Sequence, residues 1–99
     1  MIRNDTKNLY GYLVSSKLRY KIFEVLYKNS ALRQTEIATK INQKQQNVSR
    51  AIYDLEKMEL IECLNPEKKA WKSYLITGLG KEVWEFSKKQ DEEAKKRKN

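Results

Sequence analysis

Between Gln34 and Met58 apolar residues recur twice with the period of a helix. Ile37, Ala38 and Ile41 form the apolar side of a short segment from Gln34 to Ile41. Val48, Ile52 and Leu55, at i, i+4 and i+7 with Ala51 beside them, form a narrow stripe along Gln45 to Met58. Asn42-Gln43-Lys44 between them is polar and short enough for a tight turn, so the pattern predicts two short helices in a helix-turn-helix outline. Downstream, Leu60 to Leu64 and Trp71 to Ile76 are rich in β-branched, aromatic and aliphatic residues. They flank Asn65-Pro66-Glu67-Lys68-Lys69-Ala70, which predicts a β-hairpin with a basic tip, and Pro66, having no N–H, suits that tip.

On the N-terminal side Leu18, Ile22, Val25 and Leu26, with Phe23 adjoining, predict a core-facing helix that ends near Lys28. Ser15 or Ser16 is placed to cap its start, and Asn29 and Ser30 end it. Before it, Leu9, Tyr10, Tyr12, Leu13 and Val14 form an apolar, aromatic arm over residues 1–14, expected to be partly helical because Gly11 interrupts it. At the other end Thr77 is placed as the N-cap of a last helix starting at Gly78. Leu79, Val83 and Phe86 would make its inward stripe, with Trp84 pointing elsewhere. Beyond Phe86 the chain is almost wholly charged, yet Asp91 with Lys95, Glu92 with Lys96 and Glu93 with Arg97 are i, i+4 pairs with the acid first, which supports helix into the nineties.

The polar side of the Gln45 to Met58 helix carries the chemistry. Gln46 and Asn47 have amides able to pair with adenine edges, Arg50 can fork onto guanine, and Ser49 can bond either bases or phosphate; Gln45 and Tyr53 line the same side. The same side chains would also serve a merely solvated face. Thr35 is open to two readings as well, a phosphate contact at a helix N-terminus or a first-turn capping residue.

Ser16 and Arg19 with Ile22 and Leu26, then Glu36-Ile37-Ala38, Val48-Ser49-Arg50, Leu55-Glu56, Leu60-Ile61 and Tyr74-Leu75-Ile76-Thr77-Gly78-Leu79-Gly80 follow one order. Over residues 15–83 the chain resembles the small winged helix-turn-helix regulators of the ArsR/MarR type, in the form common among archaea. The resemblance implies a mainly α fold with a small antiparallel β-hairpin (α+β). One domain would span 1–99: the arm to residue 14, the winged helix-turn-helix over 15–77 and a long, dimerising C-terminal helix over 78–99. It implies that Ala31-Leu32-Arg33 is a short strand pairing with the hairpin, and that the wing lies along the DNA backbone or enters the minor groove. Two positions depart from the pattern. Glu59 stands where a glycine usually ends the recognition helix, so it must turn left-handed or end the helix differently. Arg33 stands where a capping hydroxyl is usual.

Charge agrees with this reading. The chain has 21 Lys plus Arg against 13 Asp plus Glu, a net charge of +8, which for a small domain points to a polyanionic partner. Such a balance also suits plain solubility or an anionic membrane, so placement decides. No carboxylate lies between Glu36 and Asp54, whereas Lys40, Lys44 and Arg50 do, and Lys68, Lys69 and Lys72 cluster on the hairpin. A solvated hairpin would show similar lysines; their company with a basic helix-turn-helix favours contact. Trp71 beside them would pack under the wing or against a sugar, packing being the expected role.

Several classes are excluded. With no histidine and one cysteine, Cys63, no Cys-His pair is available, no Cys, His or carboxylate ligands are grouped at metal spacing, and there is no Gly-rich phosphate loop. Neither enzyme activity nor metal sensing is expected. Cys63 reads as a small buried hydrophobe rather than a redox switch. No long apolar run or signal-like N-terminus is present, which implies a cytoplasmic protein without membrane attachment.

The sequence thus leads to a homodimeric, sequence-specific binder of double-stranded DNA that regulates transcription and needs no cofactor. Gln45, Gln46, Asn47, Ser49, Arg50 and Tyr53 would serve the major groove, Arg33, Thr35 and Lys44 the phosphates, and Lys68, Lys69 and Lys72 the wing. Tyr20 and Tyr27 on the outer side of their helix, Trp84 off the last helix's stripe, and Leu9, Tyr10, Tyr12 and Leu13 in the arm exceed what one small domain needs. They are the expected dimer interface, the competing arrangement being an arm folded over its own chain. Two other readings use the same residues: a nucleoid-type protein coating DNA without sequence choice, and a winged helix that docks proteins.

Overall fold

In the computed structural model, which describes residues 4–96, the chain forms α1 (Asn4–Val14), α2 (Lys17–Lys28), β1 (Leu32–Arg33), α3 (Gln34–Ile41), α4 (Gln45–Lys57), β2 (Ile61–Cys63), β3 (Ser73–Ile76) and α5 (Gly78–Lys96). Local chemistry accounts for the boundaries. Ser16 caps α2, its hydroxyl accepting from the Arg19 N–H at 3.2 Å. Thr77 caps α5 in the same way, accepting from the Gly80 N–H at 2.9 Å. At the end of α3 Asn42 turns left-handed with φ 54°, a conformation asparagine tolerates, and the Gln43 N–H bonds back to the Ala38 carbonyl at 3.0 Å.

The end of α4 resolves the Glu59 question. Glu59 adopts the left-handed conformation itself, φ 62°. Its N–H reaches the Glu56 carbonyl at 2.9 Å and the Leu60 N–H reaches Leu55 at 3.0 Å, the paired bonds of a Schellman motif. The geometry that glycine would enter freely is here held by hydrogen bonds against the Cβ.

The three strands form one antiparallel sheet in the order β1-β3-β2. Leu32 faces Tyr74 across β1 and β3, and Ile61 faces Ile76 across β2 and β3. Beneath the sheet, Ile22, Phe23 and Leu26 of α2, Ile37 of α3, Val48, Ile52 and Leu55 of α4, Leu60, Ile61 and Val83 form the buried core. Ile41 of α3, expected inside, is only partly buried at its edge.

The N-terminal arm differs most from expectation. It is a continuous helix, α1, passing through Gly11, and it packs along α5 of its own chain. Leu9 and Leu13 are buried in the common core, and the Tyr10 ring meets Phe86 edge-on at 5.2 Å. Trp84 does not point away from the core. It is 4% exposed and lies parallel to Tyr27 at 4.7 Å and to Tyr20 at 6.0 Å, with Phe23 at 6.1 Å. The premise that one chain leaves Leu9, Leu13 and Trp84 uncovered is therefore overturned. The aromatic surplus is largely spent on itself, because two tyrosines one heptad apart on α2 offer flat faces to an indole on α5. α5 does run into the nineties. The Arg97 partner expected for Glu93 lies outside the described residues, as does the Lys96 side chain expected to meet Glu92, and so do residues 1–3 of the arm.

Arg19 ties α1 to the remainder. Its guanidinium donates to the Tyr12 carbonyl at 2.7 Å and 3.3 Å and to the Ser15 hydroxyl at 2.6 Å, lies 4.0 Å above the Tyr12 ring, and comes within 3.9 Å of Asp54 on α4. A carbonyl that α1 leaves without a helical partner is thereby satisfied by α2.

Two substitutions test this account. Glu59→Gly should raise the stability by roughly 0.5–1 kcal/mol, because glycine adopts the left-handed region without a Cβ penalty; a thermal melt should move up by a few degrees. Gly80→Ala should act oppositely. Its Cβ would stand 2.3 Å from the Leu60 carbonyl oxygen and 2.7 Å from the Ile76 side chain, so denaturant titration should show a loss of about 1–3 kcal/mol or more.

Candidate nucleic-acid interface

Because Val48, Ala51, Ile52 and Leu55 turn α4 into the core, its opposite side is forced outward. Gln45, Gln46, Asn47, Ser49 and Arg50 are all exposed, and Tyr53 retains 63% of its surface. Hydrophobic anchors on one side thus present a row of amides, a hydroxyl, a guanidinium and a phenol on the other. Asp54, the carboxylate that ends the acid-free segment, turns aside toward Arg19.

A second part of the site lies where three elements meet. An open groove of about 300 Å³ is lined by Arg33, Gln34 and Thr35 at the start of α3, Gln45 at the start of α4, and Lys69, Ala70, Trp71, Lys72 and Tyr74 of the hairpin. It gathers Arg33, Thr35, Gln45, Lys69 and Lys72, five residues expected from the sequence. Gln46, Asn47, Ser49, Arg50 and Tyr53 lie instead along the outer side of α4, and Lys44 and Lys68 are exposed outside the groove lining. Gln34, which sequence reading passed over, donates its side-chain amide to the Gln45 carbonyl at 3.4 Å and so links the starts of the two helices.

Arg33 is held from two sides. Its backbone N–H donates to the Glu36 carboxylate at 2.8 Å and its Nε approaches the same oxygen at 3.5 Å, while its guanidinium lies 5.1 Å from the centre of the Trp71 ring. The backbone hydrogen bond, helped by the charge of Arg33, holds the Glu36 carboxyl below its ordinary pKa. Glu36 therefore supplies half a capping box where a capping hydroxyl was missing. An ion pair this exposed contributes little stability; its effect is to place the guanidinium. Neither Arg33 nor Lys44, the N-cap residues of α3 and α4, has a side chain that can accept a hydrogen bond, and no side-chain cap is made at either helix start.

Asn65 organises the wing. Its Oδ1 accepts from the Ser73 N–H at 2.9 Å, its Nδ2 donates to the Trp71 carbonyl at 3.1 Å, and its own carbonyl accepts from the Lys68 N–H at 3.1 Å. Half-buried Cys63 lies beside it, Sγ 3.6 Å from Oδ1. The lysines of the tip are exposed or, for Lys72, half-exposed. Trp71 contradicts expectation: it does not pack beneath the wing but stands 70% exposed, with φ 65°. An asparagine just before Pro66 is a turn signal that points to Asn65. No signal in the sequence sets Trp71 outside the core, where tryptophan usually belongs.

Other features define the rest of the surface. Among the described residues no group of three His, Cys, Asp or Glu side chains could hold a metal ion, and no helix is long and apolar enough to cross a membrane. An open groove of about 390 Å³ runs between α1, α2 and α5, lined by Tyr10, Val14, Lys17, Tyr20, Lys21, Ser87 and Asp91.

Helix-turn-helix, three-stranded sheet and a helix returning beside the first define a winged helix-turn-helix protein. A family model described as "MarR family" matches residues 16–66, and the chain belongs to the MarR family. A sequence search of curated proteins finds no match. Among solved structures the chain is similar to a MarR/EmrR family transcriptional regulator from Acinetobacter sp. ADP1, with 24% identity and a TM-score of 0.67 over 83% of this chain and 58% of that one. It is similar also to MepR, a transcription regulator of the Staphylococcus aureus multidrug efflux pump MepA, at 20% identity and a TM-score of 0.68 over 93% and 72% of the two chains. A third is a homodimeric winged helix-turn-helix DNA-binding domain from Mycobacterium bovis, a possible ArsR-family regulator, at 17% identity and a TM-score of 0.72 over 96% and 87%. The chain spans little more than half the length of the MarR regulators it resembles at 24–25% identity.

Proposed function

We propose that the chain acts in the cytoplasm as a homodimeric, sequence-specific regulator of transcription that binds double-stranded DNA. The observation that carries this is the convergence of three chemically matched surfaces: the outward polar side of α4, the uncapped start of α3, and the lysines of the wing, with no carboxylate from Ile37 to Tyr53. α4 has the width and side chains for a major groove, where Gln46, Asn47 and Arg50 can distinguish base edges; Ser49 and Tyr53 flank them. Arg33, Thr35, Lys44 and the wing residues Lys68, Lys69 and Lys72 supply contacts to the backbone, which position without reading. The MarR family and the regulators named among the solved structures support this role.

Dimerisation draws on α1, α2 and α5. With Leu9, Leu13 and Trp84 spent within the chain and Tyr10, Tyr12 and Tyr20 half-buried, the surface left for a partner is the open edges of these rings together with Tyr27 and Val14, which are 40% and 43% exposed. The homodimeric Mycobacterium bovis domain supports a two-fold arrangement, in which paired α4 helices would meet successive major grooves and the operator would be an inverted repeat.

Selection of bound fragments from a random duplex pool tests the central reading. Enrichment of one palindromic motif is expected; binding without enrichment would mark a coating protein instead. Within a selected site, Arg50→Ala should cost ~1–3 kcal/mol and relax preference at one base pair, whereas Lys69→Ala should weaken all sequences alike and lower the salt slope by about one. Equal loss of preference in both variants would contradict the division. Light scattering should give a mass twice the 11.8 kDa of the chain, and Val14→Glu should return it to the monomer value with a melting temperature that is lower and no longer depends on protein concentration. A wild-type protein of monomer mass at micromolar concentration would remove the dimer.

A further inference from the structure

Trp71 occupies a place that neither the core nor the turn explains. Its indole is exposed to water and its backbone is left-handed, two unfavourable conditions at a bulky residue. Surrounding bonds hold it there: Asn65 donates to its carbonyl at 3.1 Å, and Ser73, two residues on, bonds to the same asparagine. The Arg33 guanidinium lies over the ring at 5.1 Å, and Arg33 is itself anchored by Glu36. Lys69 and Lys72 stand on the same groove, which ends on the first turns of α3 and α4. The groove therefore brings three cations, Arg33 from the start of α3 and Lys69 and Lys72 from the hairpin, around an exposed indole.

That combination fits an anion joined directly to a nonpolar ring. Free phosphate would satisfy the cations but leave the indole idle, whereas a phosphodiester carries its deoxyribose beside it. We propose that Trp71 and Arg33 form a seat for one sugar-phosphate unit of a DNA duplex, its phosphate directed to Arg33, Lys69 and Lys72 and its deoxyribose resting on the indole. The seat rests on the DNA-binding reading above and adds to it a contact that is blind to sequence. It fixes the wing relative to α4 and so sets the register in which α4 meets the bases.

The two tryptophans of the chain make the test direct, since Trp84 is buried and Trp71 is not. The probe is a labelled duplex of mixed sequence, ~30 base pairs long, at low salt. Binding is followed by anisotropy of the label, and the accessibility of Trp71 by acrylamide quenching of protein emission. Saturating duplex should protect the accessible tryptophan. Trp71→Phe, reporting through Trp84 alone, should show no change in quenching while keeping most of the affinity. Trp71→Gly, which suits the left-handed backbone but lacks the ring, should weaken binding on the order of tenfold for every duplex alike. Acrylamide quenching unaltered by bound duplex, or Trp71→Gly binding as tightly as the native chain, would overturn the seat and leave DNA binding standing. No anisotropy change with any duplex would overturn both.

Discussion

The approach of Gly80 to the Leu60 carbonyl fixes the relation between the two halves of this molecule. Around it Thr77 makes three kinds of bond: its hydroxyl accepts from Gly80, donates to the Glu59 carbonyl at 2.7 Å, and its N–H reaches Leu60 at 3.1 Å. The end of α4, the return of the hairpin and the start of α5 are thus drawn to one point. Leu60 enters the core immediately after a left-handed residue, and β2 begins one residue later. A side chain at position 80 would push α5 off the sheet, and with α5 would go the surface on which α1 lies.

Much of this architecture was legible because it follows from strong local rules. The period of Val48, Ile52 and Leu55, a serine cap at position 15 or 16, the cap at Thr77 and the polar turn at Asn42 all serve to bury the apolar side. Because α4 has one buried stripe, reading that stripe also located the outward Gln46, Asn47 and Arg50. The strand at Leu32–Arg33 was legible only through family resemblance, since two residues carry no period.

What was misread depended on partners distant in sequence. Trp84 looks superfluous on its own helix because the faces it stacks on, Tyr20 and Tyr27, lie on α2, far earlier in the chain. The arm looked interrupted at Gly11 because intrinsic propensity was weighed without the burial of Leu9 and Leu13, which outweighs it. The average behaviour of tryptophan places Trp71 in the packing. Its exposure accompanies a left-handed backbone whose carbonyl is bonded to Asn65, which neither period nor propensity encodes.

Arg19 has a further consequence. One guanidinium closes the last turn of α1, covers Tyr12 and reaches Asp54 of α4. Its closest bonds, 2.7 Å to the Tyr12 carbonyl and 2.6 Å to the Ser15 hydroxyl, lie on the α1 side, and its approach to Asp54 is 3.9 Å. One side chain thereby makes a common junction of the end of α1, the first turn of α2 and the edge of α4, so that removing it would leave three elements each short of a partner at once.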